Sequence, residues 1–419
     1  FCTTRKPALG AGRARGPMAM LARGGGPPVF VDCHCHLTSQ RFSRDLDAVL
    51  ERAERAGVRG LMACSVSQTD VVQVIQLRQL YPDRVFPCLG LHPLDGTFDE
   101  DLWDATRSLV RAEHLERGIA AIGEIGLDFS RPILREHAAA NGTSEQAVRD
   151  TQLRAFEAQL ALAEELGVPV NVHSRNAERQ ALEVLARTGA RGVLHAFKGG
   201  AGLAAEAARS GHLFFSFPPS LVYKREYQEA AKVLPLRVLL LETDSPSLGA
   251  GGPRERNEPS RIGLAAAKLA ELKGVSVEEV AQVTTRNALE LFGPTALGLA
   301  ARIEAPLSAF DRDRKAVRWR KDAGPAAVAD SAAGMPAPAA SERAAEAALG
   351  RGDPAAACLA MPHPAPPPPP PSAELTDAGT AGQGTPGSRR GRWRARGTGG
   401  QRAADPTLCS AAFGSAFCD

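Results

Sequence analysis

Six short stretches carry side chains that an apolar core would reject. They are His34-Cys35-His36, Gly90-Leu91-His92, Glu124-Ile125-Gly126-Leu127-Asp128, His173-Ser174-Arg175, Leu194-His195 and Glu242-Thr243-Asp244. On a strand, side chains alternate between faces, so His34 and His36 point one way and Cys33 and Cys35 the other. Two neutral imidazoles on one face can share a metal ion, each through one ring nitrogen. Alone, His-x-His is a weak signal, and two polar residues in a loop would read the same. Adding Glu124, His173, His195 and Asp244 changes the balance. That many buried ionisable groups are costly without a cation to neutralise them. Histidine and carboxylate suit zinc, and also magnesium or manganese where carboxylates and water dominate. These candidate ligands are too many for one tetrahedral ion and enough for two. Two ions about 3.5–4 Å apart can clamp the attacking and leaving oxygens of a phosphoryl group. Glu124 is the expected bridge.

The remaining polar residues receive roles around that centre. A water or hydroxide held by the metals attacks phosphorus, and Asp244 accepts its proton. Glu242, two residues earlier and so expected on Asp244's face, either relays that proton or holds a histidine in place. Arg175 is placed to grip a phosphate oxygen bidentately, the other reading being an ion pair with a loop carboxylate. His92 either touches phosphate or caps a turn. Asp128 is expected to support a ligand rather than to bind metal.

These residues need elements to carry them. From residue 29 to about 292, short β-branched apolar runs alternate with longer segments of helical period. The runs fall at 29–33, 58–64, 85–91, 119–125, 168–173, 192–197, 213–217 and 238–242. Helical segments are expected at 44–56, 70–80, 101–115, 144–166, 177–187, 203–209, 223–234, 261–272 and 277–291. Ser276 with Glu279 forms a capping box for the last. A loop is expected around 130–142. Alternating strands and helices imply parallel βαβ units. Eight strands point to a (β/α)8 TIM barrel, whose strand ends converge on the face where its active sites are built. An open doubly wound sheet is the alternative, but the Gly-rich loop after its first strand is missing.

Composition sets the limits. The chain has 419 residues, with 44% hydrophobic and 23% charged, as in an ordinary globular protein. A net charge of +3 is too small to argue nucleic-acid binding from field alone. No apolar run is long enough to span a bilayer. Residues 1–28 are basic without an acidic residue, the charge bias of a mitochondrial transit peptide. Gly and Pro there argue against an amphipathic helix, so disorder ranks above targeting. The chain begins with Phe1, and Met18 and Met20 are the expected starts. A large core needs no disulfides, so the eight cysteines are expected reduced in an intracellular, cytoplasmic or nuclear protein. From 293 to 419, Ala, Pro, Gly and Arg dominate, with a proline run at 366–371. This reads as a disordered tail. Its segment 389–394 has the charge and tryptophan to grip nucleic acid, although translated GC-rich sequence reads the same way.

Taken together, VDCHCHL, CLGLHP, AIGEIGLDF, PVNVHSR, LHAF, LETDSP, RNEP and TTRNALELF resemble the TatD-type metal-dependent hydrolases, most closely the TatD domain-containing 3 branch. The resemblance covers about residues 29–292. It implies a TIM barrel with divalent metals and deoxyribonuclease action on DNA. For this branch it suggests 3′-exonuclease and abasic-site endonuclease activity. Carried over, His34, His36, Glu124 and Asp244 match one metal site, and Glu124, His173 and His195 the other. An amidohydrolase acting on a small cyclic amide or nucleobase is the alternative, since it uses the same barrel and His-x-His start. Such enzymes often bridge their metals with a carbamylated lysine at the fourth strand, where Glu124 stands here. A binding protein that has kept the fold without catalysis is a third reading, disfavoured by the full ligand set.

Overall fold

The computed structural model describes residues 28–94, 98–293 and 298–304. The chain divides into two units, of which the second, Gly334–Ser415, lies outside these residues. So do most of the basic N-terminal stretch, the proline run, segment 389–394, and Cys2, Cys358, Cys409 and Cys418.

The strands are β1 (Phe30–Cys35), β2 (Val58–Cys64), β3 (Val85–Cys88), β4 (Ile122–Asp128), β5 (Val170–Arg175), β6 (Gly192–Leu194), β7 (Leu213–Phe217) and β8 (Leu239–Leu241). The helices are α1 (Leu46–Arg55), α2 (Gln68–Leu80), α3 (Glu100–Arg117), α4 (Arg131–Ala140), α5 (Glu145–Leu166), α6 (Glu178–Thr188), α7 (Gly200–Ala208), α8 (Arg225–Val233), α9 (Ile262–Lys273), α10 (Val277–Phe292) and α11 (Leu299–Glu304). Side-chain caps start several of them, each satisfying an amide that has no partner inside its helix. Ser67 accepts from Asp70 N, Ser144 from Ala147 N and Ser276 from Glu279 N.

All strand pairs are parallel, in two arcs, β1-β2-β3 and β4 to β8. Backbone hydrogen bonds close both seams. Ala120 N donates to Pro87 O at 2.7 Å and Leu89 N to Ala121 O at 3.1 Å. At the other seam Asp244 N donates to His34 O at 2.9 Å and His36 N to Ser245 O at 2.8 Å. The result is a TIM-type barrel rather than an open sheet, and the bonds that close its second seam involve the site residues His34, His36 and Asp244.

Strand alternation sorts the apolar side chains. Leu61, Val85, Phe215 and Leu239 join the large layer beneath the helices. Their neighbours Met62, Phe86, Phe214 and Leu240 join a smaller cluster filling the barrel. A register shift between Asp32 and Cys35 breaks the alternation in β1. Cys33 and Cys35, expected on one face, therefore lie in different clusters. The buried cysteines Cys33, Cys35, Cys64 and Cys88 are free thiols.

Two segments differ from expectation. The expected loop at 130–142 contains helix α4, with Pro in its first turn and Leu134 and Ala138 buried. Proline suits that position because its missing N–H would be unpaired there anyway. The expected disordered tail begins with α11, whose Leu299 and Ile303 are buried against the barrel cluster. One apolar pair at i, i+4 is too brief a period to stand out in Ala-rich sequence. Gly60 makes room for α11, since a Cβ there would lie 2.4 Å from Leu299 Cδ1.

Candidate metal centre

Donor atoms from five strand ends meet at Glu124. The Nε2 atoms of His34 and His36 lie 3.2 Å apart. Each is 3.4 Å from Glu124 Oε2, and they are 3.7 and 3.2 Å from Asp244 Oδ1. Four ligands at zinc–nitrogen and zinc–oxygen distances on a tetrahedron are about 3.3–3.4 Å apart. The other carboxylate oxygen serves a second group. Glu124 Oε1 is 2.8 Å from His173 Nδ1 and 2.7 Å from His195 Nε2, and those two nitrogens are 3.2 Å apart.

Outer hydrogen bonds decide which nitrogens are bare. Asn171 Nδ2 donates to Cys33 O at 2.9 Å, which turns Oδ1 toward His34 Nδ1 at 2.8 Å. That oxygen only accepts, so Nδ1 carries the proton and Nε2 the lone pair. His36 Nδ1 sits 3.2 Å from the Cys64 carbonyl, with the same result. His173 Nε2 is 3.2 Å from Asp128 Oδ2, which leaves its Nδ1 for the centre. His92 behaves differently: its Nδ1 accepts from Leu94 N at 3.0 Å. Its Nε2 is then the donor, 3.4 Å from Glu124 Oε1. His92 thus does turn duty and faces the centre as a hydrogen-bond donor, not as a ligand.

Other buried groups hold these positions. Asp32 accepts from Thr243 N at 2.9 Å and Thr243 Oγ1 at 2.5 Å, joining β1 to the turn that bears Asp244. Asn257 donates to Thr243 O at 2.7 Å and Ser247 O at 2.8 Å. Arg52–Glu258 and Arg256–Asp45 pairs at 2.7 and 2.8 Å tie that Asn-containing loop to α1 and the residue before it. On α5, Gln152 accepts from Asp128 N at 2.9 Å and Gln159 from Leu91 N at 2.7 Å. Two helical turns separate the glutamines, so they share a face. Gly126 has φ +136°, and a Cβ there would lie 2.0 Å from His173 O. Only glycine permits that approach. The sequence reading assigned no role to Asp32, Asn171, Thr243 or Asn257. A polar residue two places from a ligand on a buried strand, as Asp32 and Asn171 are, was the available signal.

Glu242 stands behind the centre. It is 0% exposed, and its carboxylate accepts from Ala196 N at 3.0 Å and from the Ser216 hydroxyl. His195 Nδ1 is 3.9 Å away. The expectation that Glu242 shares Asp244's face fails for a physical reason. β8 ends at Leu241 and Asp244 is left-handed at φ 49°, so strand alternation does not extend between them. This geometry suits holding the loop that carries His195, through Ala196 N, and not relaying a proton from the cleft. Arg175, half-buried at the end of β5, has no carboxylate partner among the described residues.

Electrostatics show what the donor set lacks. Burial would raise the Glu124 carboxyl, but His92, His195 and His34 bring it well below the usual range. Burial also opposes charge on His34, yet Glu124 and Asp244 push it up to about 10. Burial and the adjacent His34 hold His195 down to about 3. Stacked rings 3.8 Å apart are thus forced into opposite charge states. Divalent cations would let every ring be neutral and both carboxylates charged, so the residues present fit metal.

A recess beside His92 is lined by Leu91, Phe98, His137 of α4 and Gln152. A second, smaller one adjoins His173 and His195.

A family model described as "TatD related DNase" matches residues 31–293. The chain belongs to the TatD family of metal-dependent hydrolases. It is 44% identical to human "Deoxyribonuclease TATDN3" over 63% of this chain and 94% of that protein. It is 34% identical to the "Uncharacterized metal-dependent hydrolase YcfH" of Escherichia coli K12, over 63% and 95%. Among solved structures, the TatD homologue YjjV of E. coli K12 superposes with a TM-score of 0.56. It is 28% identical, over 62% of this chain and 97% of that one. TatD relatives thus place the chain among enzymes, as hydrolases acting on ester bonds. Among the described residues no helix is long and apolar enough to cross a membrane.

Proposed function

We propose that this TatD protein hydrolyses phosphodiester bonds of DNA with two divalent cations, acting as a 3′-exonuclease, an abasic-site endonuclease or both. One observation carries the reading: Glu124 turns one oxygen to His34 and His36, which Asp244 also approaches, and the other to His173 and His195. Those two groups would hold one cation each, zinc by donor type, with manganese or magnesium as alternatives. When bound, such ions polarise the phosphoryl oxygens and lower the pKa of the attacking water.

The chain's own residues supply the rest. Asp244, at the rim and 8% exposed, accepts the proton of the water. Arg175 lines a recess together with His173 and His195 and neutralises charge on phosphate. His92 donates its Nε2–H toward Glu124 or a substrate oxygen. Asp128 and Asn171 keep their rings oriented, which sustains their basicity, and Glu242 holds the loop after β6 through Ala196 N.

The test is a substrate panel of single-stranded, nicked and abasic-site DNA alongside cyclic amides. DNA cleavage that chelator abolishes, and that zinc, manganese or magnesium restores to different degrees, is expected. Amide hydrolysis without DNA cleavage would put the amidohydrolase reading in its place. Full activity with metal shown absent by elemental analysis would sink both.

A further inference from the structure

We propose that the recess beside His173 and His195 is a second phosphate site, holding a phosphate that adjoins the scissile one. The inference rests on the DNA reading above and extends it. Ser174, Arg175, Lys198 and Tyr227 line the recess with the two histidines. The histidines are shared with the metal centre, so the two sites are contiguous. No carboxylate lines it, and Glu242 stands behind His195 at 3.9 Å from its Nδ1.

Three polar atoms of its lining residues lack partners. Tyr227 is 0% and Ser174 5% exposed, yet Tyr227 Oη and Ser174 Oγ are buried without a hydrogen bond, and so is His195 Nδ1. Buried polar groups are nearly always satisfied, by protein, water or ligand, so these three need a partner in the recess, and the charges around it select an anion. A hydroxyl can donate to an anion, and so can a protonated ring nitrogen. The cations agree. Lys198 Nζ and Lys224 Nζ lie 5.9 and 5.7 Å from the Tyr227 ring centre. Burial, then Lys224 and Arg175, push the Lys198 ammonium down to about 8, against weaker support from Glu226 and Glu178. A phosphate would relieve that repulsion. It would receive a planar fork from Arg175, a point charge from Lys198, and hydroxyls from Ser174 and Tyr227.

A phosphate there has two sources, an internal diester of a longer strand or the terminal phosphate of a short one. The test reads the recess directly. The metal-loaded full chain is acylated with an N-hydroxysuccinimide ester, and labelling at Lys198 is measured by peptide mass spectrometry. Lys232, exposed, is the internal control. Inorganic phosphate is expected to protect Lys198 several-fold and leave Lys232 unchanged. Tyr227→Phe and Arg175→Ala are expected to raise the half-protecting concentration about threefold and tenfold or more. Equal labelling with and without phosphate overturns the proposal. Protection unaffected by both substitutions also overturns it, because the phosphate would then be shielding Lys198 from the metal centre alone.

Steady-state cleavage separates the sources. A dinucleotide with only its scissile phosphate is compared with 5′- and 3′-phosphorylated forms and with a trinucleotide. A lower KM for a terminally phosphorylated form, lost in Lys198→Ala, assigns the terminal source. A lower KM for the trinucleotide alone assigns the internal one. If no DNA is cleaved while phosphate still protects Lys198, the DNA reading fails and the anion site stands.

Discussion

Asn171→Ala tests whether the imidazoles are preset by their outer hydrogen bonds. Asn171 is fully buried and makes two bonds, from His34 Nδ1 at 2.8 Å and to Cys33 O at 2.9 Å. Alanine leaves one buried donor and one buried acceptor unpaired. At about 1–3 kcal/mol each, the metal-free protein should lose about 2–6 kcal/mol. His34 also loses what keeps its proton on Nδ1. Removing such a support typically weakens metal binding about 10–100-fold. Asn171→Asp separates the effects, because its carboxylate still accepts from His34 but cannot donate to Cys33 O. It should be destabilised while holding metal better than the alanine variant. Urea denaturation in chelator gives the first quantity, and competition with a chromophoric chelator gives the second. If Asn171→Ala binds metal within twofold of wild type, the argument from tautomers is wrong.

Three further outcomes are expected. Glu124→Ala should lose both ions, whereas Asp244→Asn should keep part of its metal and lose about 10²–10⁴-fold in single-turnover rate; near-normal cleavage by Asp244→Asn, or two ions retained by Glu124→Ala in elemental analysis, contradicts the assignments. Leu299→Ala should cost about 2–5 kcal/mol in denaturation, as for a buried leucine, so a chain cut at 293 should melt lower than one extending past Glu304. Metal affinity should rise with pH: His34 is pushed up to about 10 without metal, so below that pH binding must expel its proton, and calorimetry in buffers of different ionisation enthalpy should record proton release.

Local order made much of this protein legible from sequence. Ser276 and Glu279 marked the start of α10 because a capping box is made within one turn. Eight apolar runs marked eight strands, and the ligands stood at their ends. β4 and β5 run on to Asp128 and Arg175, whereas β6 and β8 stop before His195 and Glu242. Strand length depends on pairing with neighbours, which composition alone does not carry. α4 and α11 lack a sequence period because the buried residues described in each are a single i, i+4 pair.

Tertiary structure alone decided how the site is wired. Asp32 meets Thr243 across 211 residues, and Asn171 reaches Cys33 across 138. No period in the sequence links such positions. Which nitrogen of each histidine faces the centre follows from what lies behind the ring. Glu242 and Asp244, two residues apart, were expected on one face. The end of β8 and the left-handed turn at Asp244 send one carboxylate behind His195 and the other into the cleft. Residue types could announce a site that binds cations, because imidazole and carboxylate donors have few other uses together at strand ends. Their roles were set by barrel closure, which brings distant strand ends within hydrogen-bond distance and gives each side chain one partner rather than several.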